Sequence, residues 1–327
     1  MRVHIIDDWL DALRQLPCYG RLAGHDVTIW NEHEPDPVRL AARIKDAEIL
    51  VLVRERTPVT EALVSLLPNL RMISSRGHYP HVDIPALTRR GIVFCSETRK
   101  DPLSTATCEL AFTLILAGLR DLRNQMDSVR AGRWQTQVGR SAAGRVLGLY
   151  GYGAVARQVA AYAKAFGMHV WWWASDAGRE RAAADGELVA DSRAAFFSQS
   201  DVISLHQRVV PATRGSVTAQ DLALMKPDSL LVNTARAALI EPGALLAALN
   251  AGRPGRAALD VFDVEPVLDA SDPLIHHPRV IATPHLGFVT EEVLQIAFDS
   301  VFAQIEAYGG GQLLNAINPD AWTAGGR

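Results

Sequence analysis

The chain has 327 residues, with 33 Lys and Arg against 36 Asp and Glu and a formal net charge of -3. Its composition, 48% hydrophobic and 21% charged, is that of an ordinary globular protein and excludes disorder on a large scale; the charge leaves no basic footprint for nucleic acid or an anionic membrane surface. This length accommodates two domains with full cores, and small molecules are the default partners.

From the N-terminus, Asp7 and Asp8 arrive before an apolar leader core can form, so an unsecreted chain is expected. Short β-like runs at 2–6, 25–30, 49–53, 72–74 and 92–95 alternate with helical stretches at 37–44, after Asp36, and 61–66, after Thr60; the two polar residues read as N-caps. This is one α/β unit. A helix-compatible stretch then runs from about 105 to 130. One face is rich in Leu and Ala and the other carries Arg120, Asp121, Arg123 and Asp127, as expected of a connector or interface helix. Its apolar stretch, 110–119, is far short of the roughly 20 residues that a membrane span needs. Cys18, Cys95 and Cys108 lack Cys-x-x-Cys spacing, which suggests neither a disulfide framework nor a zinc site and fits a reducing cytoplasm.

A second α/β series follows, with strands expected at 146–150, 169–173, 202–206, 229–233, 256–260 and 280–282. Strands separated by helical segments predict two doubly wound, parallel-sheet domains. The last helix, about 291–308, follows the final strand and is expected to pack back on the first unit. That domain is then discontinuous, 1–98 with 292–327, around a second domain of 99–291. The tail, 322–327, is expected to fray.

The run Gly151-Tyr152-Gly153-Ala154-Val155-Ala156 lies between a predicted strand and an amphipathic segment over 154–165. Gly151 permits a tight turn, Gly153 lets backbone amides approach a pyrophosphate at the positive end of the helix, and Ala156 takes the position of the third glycine. Strand, turn and helix in that order predict a dinucleotide site. The following strand should present an acid to the adenosine ribose; after Trp171-Trp172-Trp173 the chain offers Ser175 and then Asp176. Arg179 and Arg181 are near enough in sequence to neutralise a 2′-phosphate, so the reading is NAD with NADP open. The three tryptophans read as sheet packing on alternate faces.

Arg236, Glu265 and His285 each close an apolar run in the last third of the chain. Polar residues at the ends of successive parallel strands converge on one crevice. There a guanidinium can hold a carboxylate or polarise a carbonyl, an imidazole can move a proton, and a carboxylate can keep that imidazole protonated, which suits chemistry on a 2-oxo or 2-hydroxy acid.

Several ordered motifs carry a family resemblance over almost the whole chain: the glycine turn, Phe166-Gly167-Met168, Ser204-Leu205-His206, Met225-Lys226-Pro227, Val232-Asn233-Thr234-Ala235-Arg236, the run from Leu259 and Asp260 to Glu265-Pro266, and Thr283-Pro284-His285. The chain resembles the D-isomer-specific 2-hydroxyacid dehydrogenases. The resemblance implies a Rossmann-type cofactor domain, a discontinuous flavodoxin-like substrate domain, NAD(P)-dependent oxidoreduction of a small 2-oxo acid, and a homodimer. It assigns acid–base work to His285, its support to Glu265 and the substrate clamp to Arg236. Asp260 matches the position that holds the nicotinamide carboxamide, and His206, Thr234 and Ala235 match cofactor-lining positions. On the substrate side the family's Gly-rich loop corresponds to the segment from Ser74 to His81, where only Gly77 remains. The amides of Gly77 and His78, with Arg76, are the expected carboxylate cradle. Arg54 matches a strand-end arginine that reaches a carboxylate or phosphate, with a surface Arg54-Glu55-Arg56 cluster as the alternative. His276-His277 lacks a third ligand at suitable spacing, so no metal site is expected. Glu265, where formate dehydrogenases carry glutamine, argues against that activity; a nucleotide-sensing corepressor on the same scaffold is the alternative from another class.

Overall fold

The computed structural model describes residues 1–98 and 105–324. The chain divides into two units, Met1–Asp101 with Thr290–Arg327, and Pro102–Val289. The domain boundary expected after residue 98 adjoins residues 99–104, outside those described.

In the first unit β1 (Arg2–Ile6), β2 (Asp26–Ile29), β3 (Ile49–Leu52), β4 (Met72–Arg76) and β5 (Val93–Glu97) form a parallel sheet in the order β2-β1-β3-β4-β5. β3, Ile-Leu-Val-Leu, is buried throughout, which is why it reads as an unbroken apolar run rather than an alternating one. Asp36 caps the helix Pro37–Arg43 by accepting the Val38 and Arg39 N–H groups, and Thr60 caps Glu61–Ser65 by accepting that of Leu63. These helices and Ile84–Arg89 pack on the sheet around Leu40, Leu63, Leu87 and Phe94. The helix Glu291–Gly309 belongs to the same unit and buries Val301, Phe302 and Ile305. Its Gln304, fully buried, accepts the Ser74 hydroxyl at 2.7 Å and donates to Ser75 O at 3.4 Å. Phe302→Ala would remove a wholly buried ring and cost about 3–5 kcal/mol. Trp322 lies in the helix Asp320–Ala324 with its ring edge-on to Tyr308, 4.8 Å between centroids, so fraying does not begin there. Residues 325–327 lie outside the described residues.

The second unit carries β6 (Val146–Tyr150), β7 (His169–Trp173), β8 (Val202–Leu205), β9 (Leu230–Asn233), β10 (Arg256–Leu259) and β11 (Val280–Ala282), all parallel, in the order β11-β10-β9-β8-β6-β7. Two cores cover its faces. One brings Ile115 and Val159, on the helices Thr105–Leu119 and Ala154–Ala165, against Trp172; the other gathers Phe196, Leu222 and Leu249 with Trp171 and Trp173 packed beside them. The three tryptophans thus alternate between faces, as strand geometry requires.

The single helix expected over 105–130 is two, Thr105–Leu119 and Leu122–Arg130. The break falls at Asp121, whose backbone is left-handed (φ 53°). Asp121 is buried and pairs with Arg256 at 3.0 Å, and Arg123 donates to His277 O at 3.0 Å. Two residues expected on the polar face of one connector or interface helix therefore have partners distant in sequence, which helical periodicity does not register. Among the described residues no helix is long and apolar enough to cross a membrane.

In each sheet the chain moves outward from its first strand to one side and continues on the other. The switch points, β1/β3 and β6/β8, are where such sheets open a crevice at their carboxyl edge.

Candidate active site

At the β6/β8 switch point the chain turns at Gly151, with φ 119° and its N–H bonded to Trp173 O at 2.7 Å. A Cβ there would stand 2.9 Å from His206 O, so the turn needs glycine. Gly153 is the N-cap of Ala154–Ala165 and supplies no side-chain cap, which leaves the first N–H groups of the helix for a ligand or water. A Cβ on Gly153 would meet nothing within 4 Å. Ala154 is exposed, Val155 packs on the core edge, and Ala156 is fully buried. On the same carboxyl edge Thr234 has a buried hydroxyl that finds no partner among the described residues. An open cradle at an uncapped helix and an orphaned buried hydroxyl fit a dinucleotide.

His206 follows β8 with its Nε2 2.9 Å from Ser204 Oγ; burial pushes its imidazole down to about 4, so it is neutral near pH 7. After β7, Ser175 caps the helix Asp176–Ala184 by accepting the Gly178 N–H at 3.3 Å. The Asp176 side chain is 87% exposed and pairs with Arg179 at 2.5 Å. The Arg179 guanidinium lies 4.4 Å from the Trp173 ring centroid. The acid expected at the ribose is thus already engaged by the cation expected at a 2′-phosphate.

Glu265 and His285 meet. Glu265 accepts the Phe262 N–H on Oε1 at 2.9 Å and faces His285 Nδ1 from Oε2 at 2.6 Å. An ionised carboxylate only accepts, so Nδ1 carries the proton and Nε2 is the ring nitrogen left for chemistry. Burial alone would raise the Glu265 carboxyl; the His285 contact, the Phe262 N–H and the nearby Arg236 charge outweigh it and hold the group below its usual range. His285 has left-handed backbone (φ 54°), and its ring stands edge-on to Phe288, 5.7 Å between centroids. Arg236 donates to Ala235 O at 2.7 Å. Its turn is built by Asn233, buried at the end of β9, which donates to Arg236 O at 2.9 Å and accepts the Ala235 N–H at 3.0 Å.

Asp260 is fully buried, and both its oxygens serve the loop that carries His285: Oδ1 accepts the Thr283 hydroxyl at 2.6 Å and the Leu286 N–H at 2.7 Å, and Oδ2 accepts the Gly287 N–H at 2.9 Å. Burial raises its pKa, and these bonds oppose the rise. Asn233, Thr283 and Phe288 escape a search for reactive side chains. The available signal is position: Asn233 and Thr283 are polar residues ending otherwise apolar strands inside the quoted motifs.

The remaining expected residues lie in the first unit. Arg54 follows β3, exposed and left-handed (φ 66°). Arg76 ends β4 with Nη2 3.9 Å from Glu97 Oε2. Gly77 donates its N–H to Glu97 O at 2.9 Å and its carbonyl accepts the Ser96 hydroxyl at 3.0 Å, so its amide extends the sheet rather than an anion cradle. That corrects the expected use of the Gly77 amide. His78 is exposed.

Residues 112–287 match the family described as D-isomer specific 2-hydroxyacid dehydrogenase, NAD binding domain. The D-3-phosphoglycerate dehydrogenase of Methanocaldococcus jannaschii is 35% identical over 283 residues, 85% of this chain and 53% of that protein. The glyoxylate reductase of Aeropyrum pernix is 32% identical over 82% of each chain. The chain belongs to the D-isomer specific 2-hydroxyacid dehydrogenase family. A crystal structure of phosphoglycerate oxidoreductase from Vibrio cholerae O395 superposes with a TM-score of 0.89 at 40% identity, covering 95% of this chain and 99% of that one. This dehydrogenase family binds NAD, and the cradle at Gly151 and Gly153 lies within the matched domain. Arg236, Glu265 and His285 lie there too. The chain spans about half the length of the phosphoglycerate dehydrogenase it matches, 53%.

Proposed function

We propose that this protein interconverts a small 2-oxo acid and its D-2-hydroxy acid, with His285 as the acid–base residue. The observation that carries the reading is the 2.6 Å contact between His285 Nδ1 and Glu265 Oε2, which fixes the orientation of the imidazole and leaves Nε2 for proton transfer. When bound, NAD supplies or accepts the hydride at carbon 2. In reduction, Nε2 of the His285 imidazolium protonates the substrate oxygen; in oxidation, the neutral ring takes that proton back. Glu265 stays ionised and orients the ring. Arg236 holds the carboxylate or polarises the keto oxygen, as a guanidinium on a rigid turn is suited to do. Gly151, Gly153, Ala154 and Val155 receive the pyrophosphate, Ser175 and Asp176 stand at the ribose, and His206, Thr234 and Ala235 line the nicotinamide side. Asp260 acts on the chemistry through the His285 loop, whose two N–H groups it holds. In the first unit Arg54, with Arg76 and His78, receives the substrate's anionic groups.

The substrate class follows from the guanidinium and imidazole together, and the relatives' names, phosphoglycerate dehydrogenase and glyoxylate reductase, fall within it. The protein acts as a homodimer. The helix Leu122–Arg130 exposes Leu122, Met126 and Val129 at helical spacing, and Trp134 and Val138 beyond it are 76% and 96% exposed, an apolar strip suited to a second copy. We place it in the cytoplasm, where thiols stay reduced: Cys18, Cys95 and Cys108 are all buried, and burial pushes their thiols up to about 11 or 12. Turnover of glyoxylate, hydroxypyruvate, phosphohydroxypyruvate and 4-methyl-2-oxopentanoate, each with NADH and NADPH, tests the function. Tight NADH binding without turnover of any member would overturn it.

A further inference from the structure

The carboxyl edge of the first unit holds a polar network that the roles above do not use. Asp7, the first residue after β1, is 2% exposed and has left-handed backbone (φ 64°). Its Oδ2 accepts the Thr57 hydroxyl at 2.6 Å, its Oδ1 lies 2.9 Å from His33 Nδ1, and its carbonyl accepts Arg56 Nη1 at 2.5 Å. The Arg56 guanidinium carbon lies 3.6 Å from the Trp9 ring centroid, and Trp9 stands edge-on to His33 at 6.4 Å. Asp8, also buried, accepts the Leu13 N–H at 3.1 Å and, through its carbonyl, the Asn31 amide at 2.7 Å. Three chain segments, those leaving β1, β2 and β3, are thereby tied to one carboxylate.

A buried carboxylate and a non-glycine residue at positive φ each cost free energy, and proteins keep such features where the surroundings hold a functional segment in shape. The segment held is 54–57. Its far end is fixed to Asp7 through Arg56 and Thr57, and its near end is anchored by Val53, 5% exposed. Between them Arg54 is exposed in a left-handed conformation that arginine seldom adopts unaided.

We propose that Asp7, His33 and Thr57 are positioning residues that hold the 54–57 segment so that Arg54 presents its guanidinium to an anionic group of the 2-oxo acid. The inference rests on the reading above that Arg54 contacts substrate. Asp7 accepts from Thr57 and Arg56, and His33 closes the second carboxylate oxygen. Loss of either side-chain partner frees the segment to leave the left-handed region, and the substrate must then pay for its ordering.

The test uses the full-length protein and whichever 2-oxo acid of the panel has the highest kcat/KM. Thr57→Val, which keeps the shape and removes the donor, and His33→Asn should each raise KM on the order of tenfold. The NADH Kd, read by nicotinamide fluorescence, should stay within about twofold. Thr57→Ser should restore KM. In an Arg54→Ala background, Thr57→Val should have no further effect on KM, because coupled residues are not additive. A lowered Tm with unchanged KM in both single variants, while Arg54→Ala raises KM, would overturn the clamp and leave the Arg54 reading standing. An unchanged KM in Arg54→Ala would overturn the Arg54 reading and the clamp with it. Full additivity in the double variant would show that Thr57 acts elsewhere.

Discussion

The β6/β8 and β1/β3 switch points occupy equivalent positions in two parallel sheets, yet they are made of opposite materials. At β6/β8 side chains are withdrawn: Gly151 turns against His206 O, Gly153 leaves open space, and the helix behind them begins without a side-chain cap. Backbone N–H groups are what remains, which suits a large, flexible anion that brings its own acceptors. At β1/β3 side chains crowd in: Asp7 gathers Thr57, His33 and Arg56, and the buried Asp8 accepts the Leu13 N–H. That edge also carries the exposed Arg54 on a stiffened segment, suited to a small acid. The same topology thus yields a candidate cofactor site by leaving a helix start without a side-chain cap and a candidate substrate contact by over-determining a side chain.

The largest effect should come from His285→Ala, with kcat lowered on the order of 10³-fold and NADH affinity kept within about threefold. Comparable losses of rate and of NADH affinity would mean that proton transfer and cofactor binding are not separable in this unit. Glu265→Gln should lower kcat on the order of 10²-fold, because the imidazole keeps an oxygen acceptor and loses the charge opposite it. The sign of its pH effect is set by the lowered Glu265 pKa. The stability advantage of wild type over the variant should be complete above the ordinary carboxylate value of 4.5 and should vanish as pH falls through the lowered one. Urea denaturation from pH 3 to 8 measures it, and a gap that widens on acidification would exclude the pairing.

Gly153→Ala sharpens the contrast between open space in the fold and space reserved for a ligand. Stability should change by less than about 1 kcal/mol, since the added methyl meets nothing, while NADH binding weakens about tenfold. Equal NADH affinity for both proteins would remove Gly153 from the cofactor site. The smallest effect is expected for Thr234→Val. Deleting a buried hydroxyl that finds no partner among the described residues should leave stability equal or slightly higher, with NADH affinity a few-fold weaker. Scanning calorimetry of the variant reads the stability and calorimetric titration with NADH the affinity.

Much of this was legible beforehand. β1, β6, β7 and β11 and the helix Ala154–Ala165 follow the limits expected from apolar periodicity and turn residues, because those signals are local. The Asp36 and Thr60 caps are local as well. Two expectations failed for a common reason. The helix is broken at Asp121, whose ion partner is Arg256, and the Gly77 N–H extends the sheet because its acceptor is Glu97 O. Each partner is remote in sequence and carries no periodic signal.

The amino-acid order by itself determined the two alternating α/β series, the glycine turn and the strand-end positions of Arg236, Glu265 and His285, since repeat, turn and burial pattern are written in neighbouring residues. Only the tertiary structure decided that Glu265 meets His285 Nδ1, that Asp260 spends both oxygens on the His285 loop, and that Asp7 gathers His33, Arg56 and Thr57. The physical reason is that hydrogen bonds between distant segments form at distances and angles fixed by strand register and packing, which no run of consecutive residues specifies.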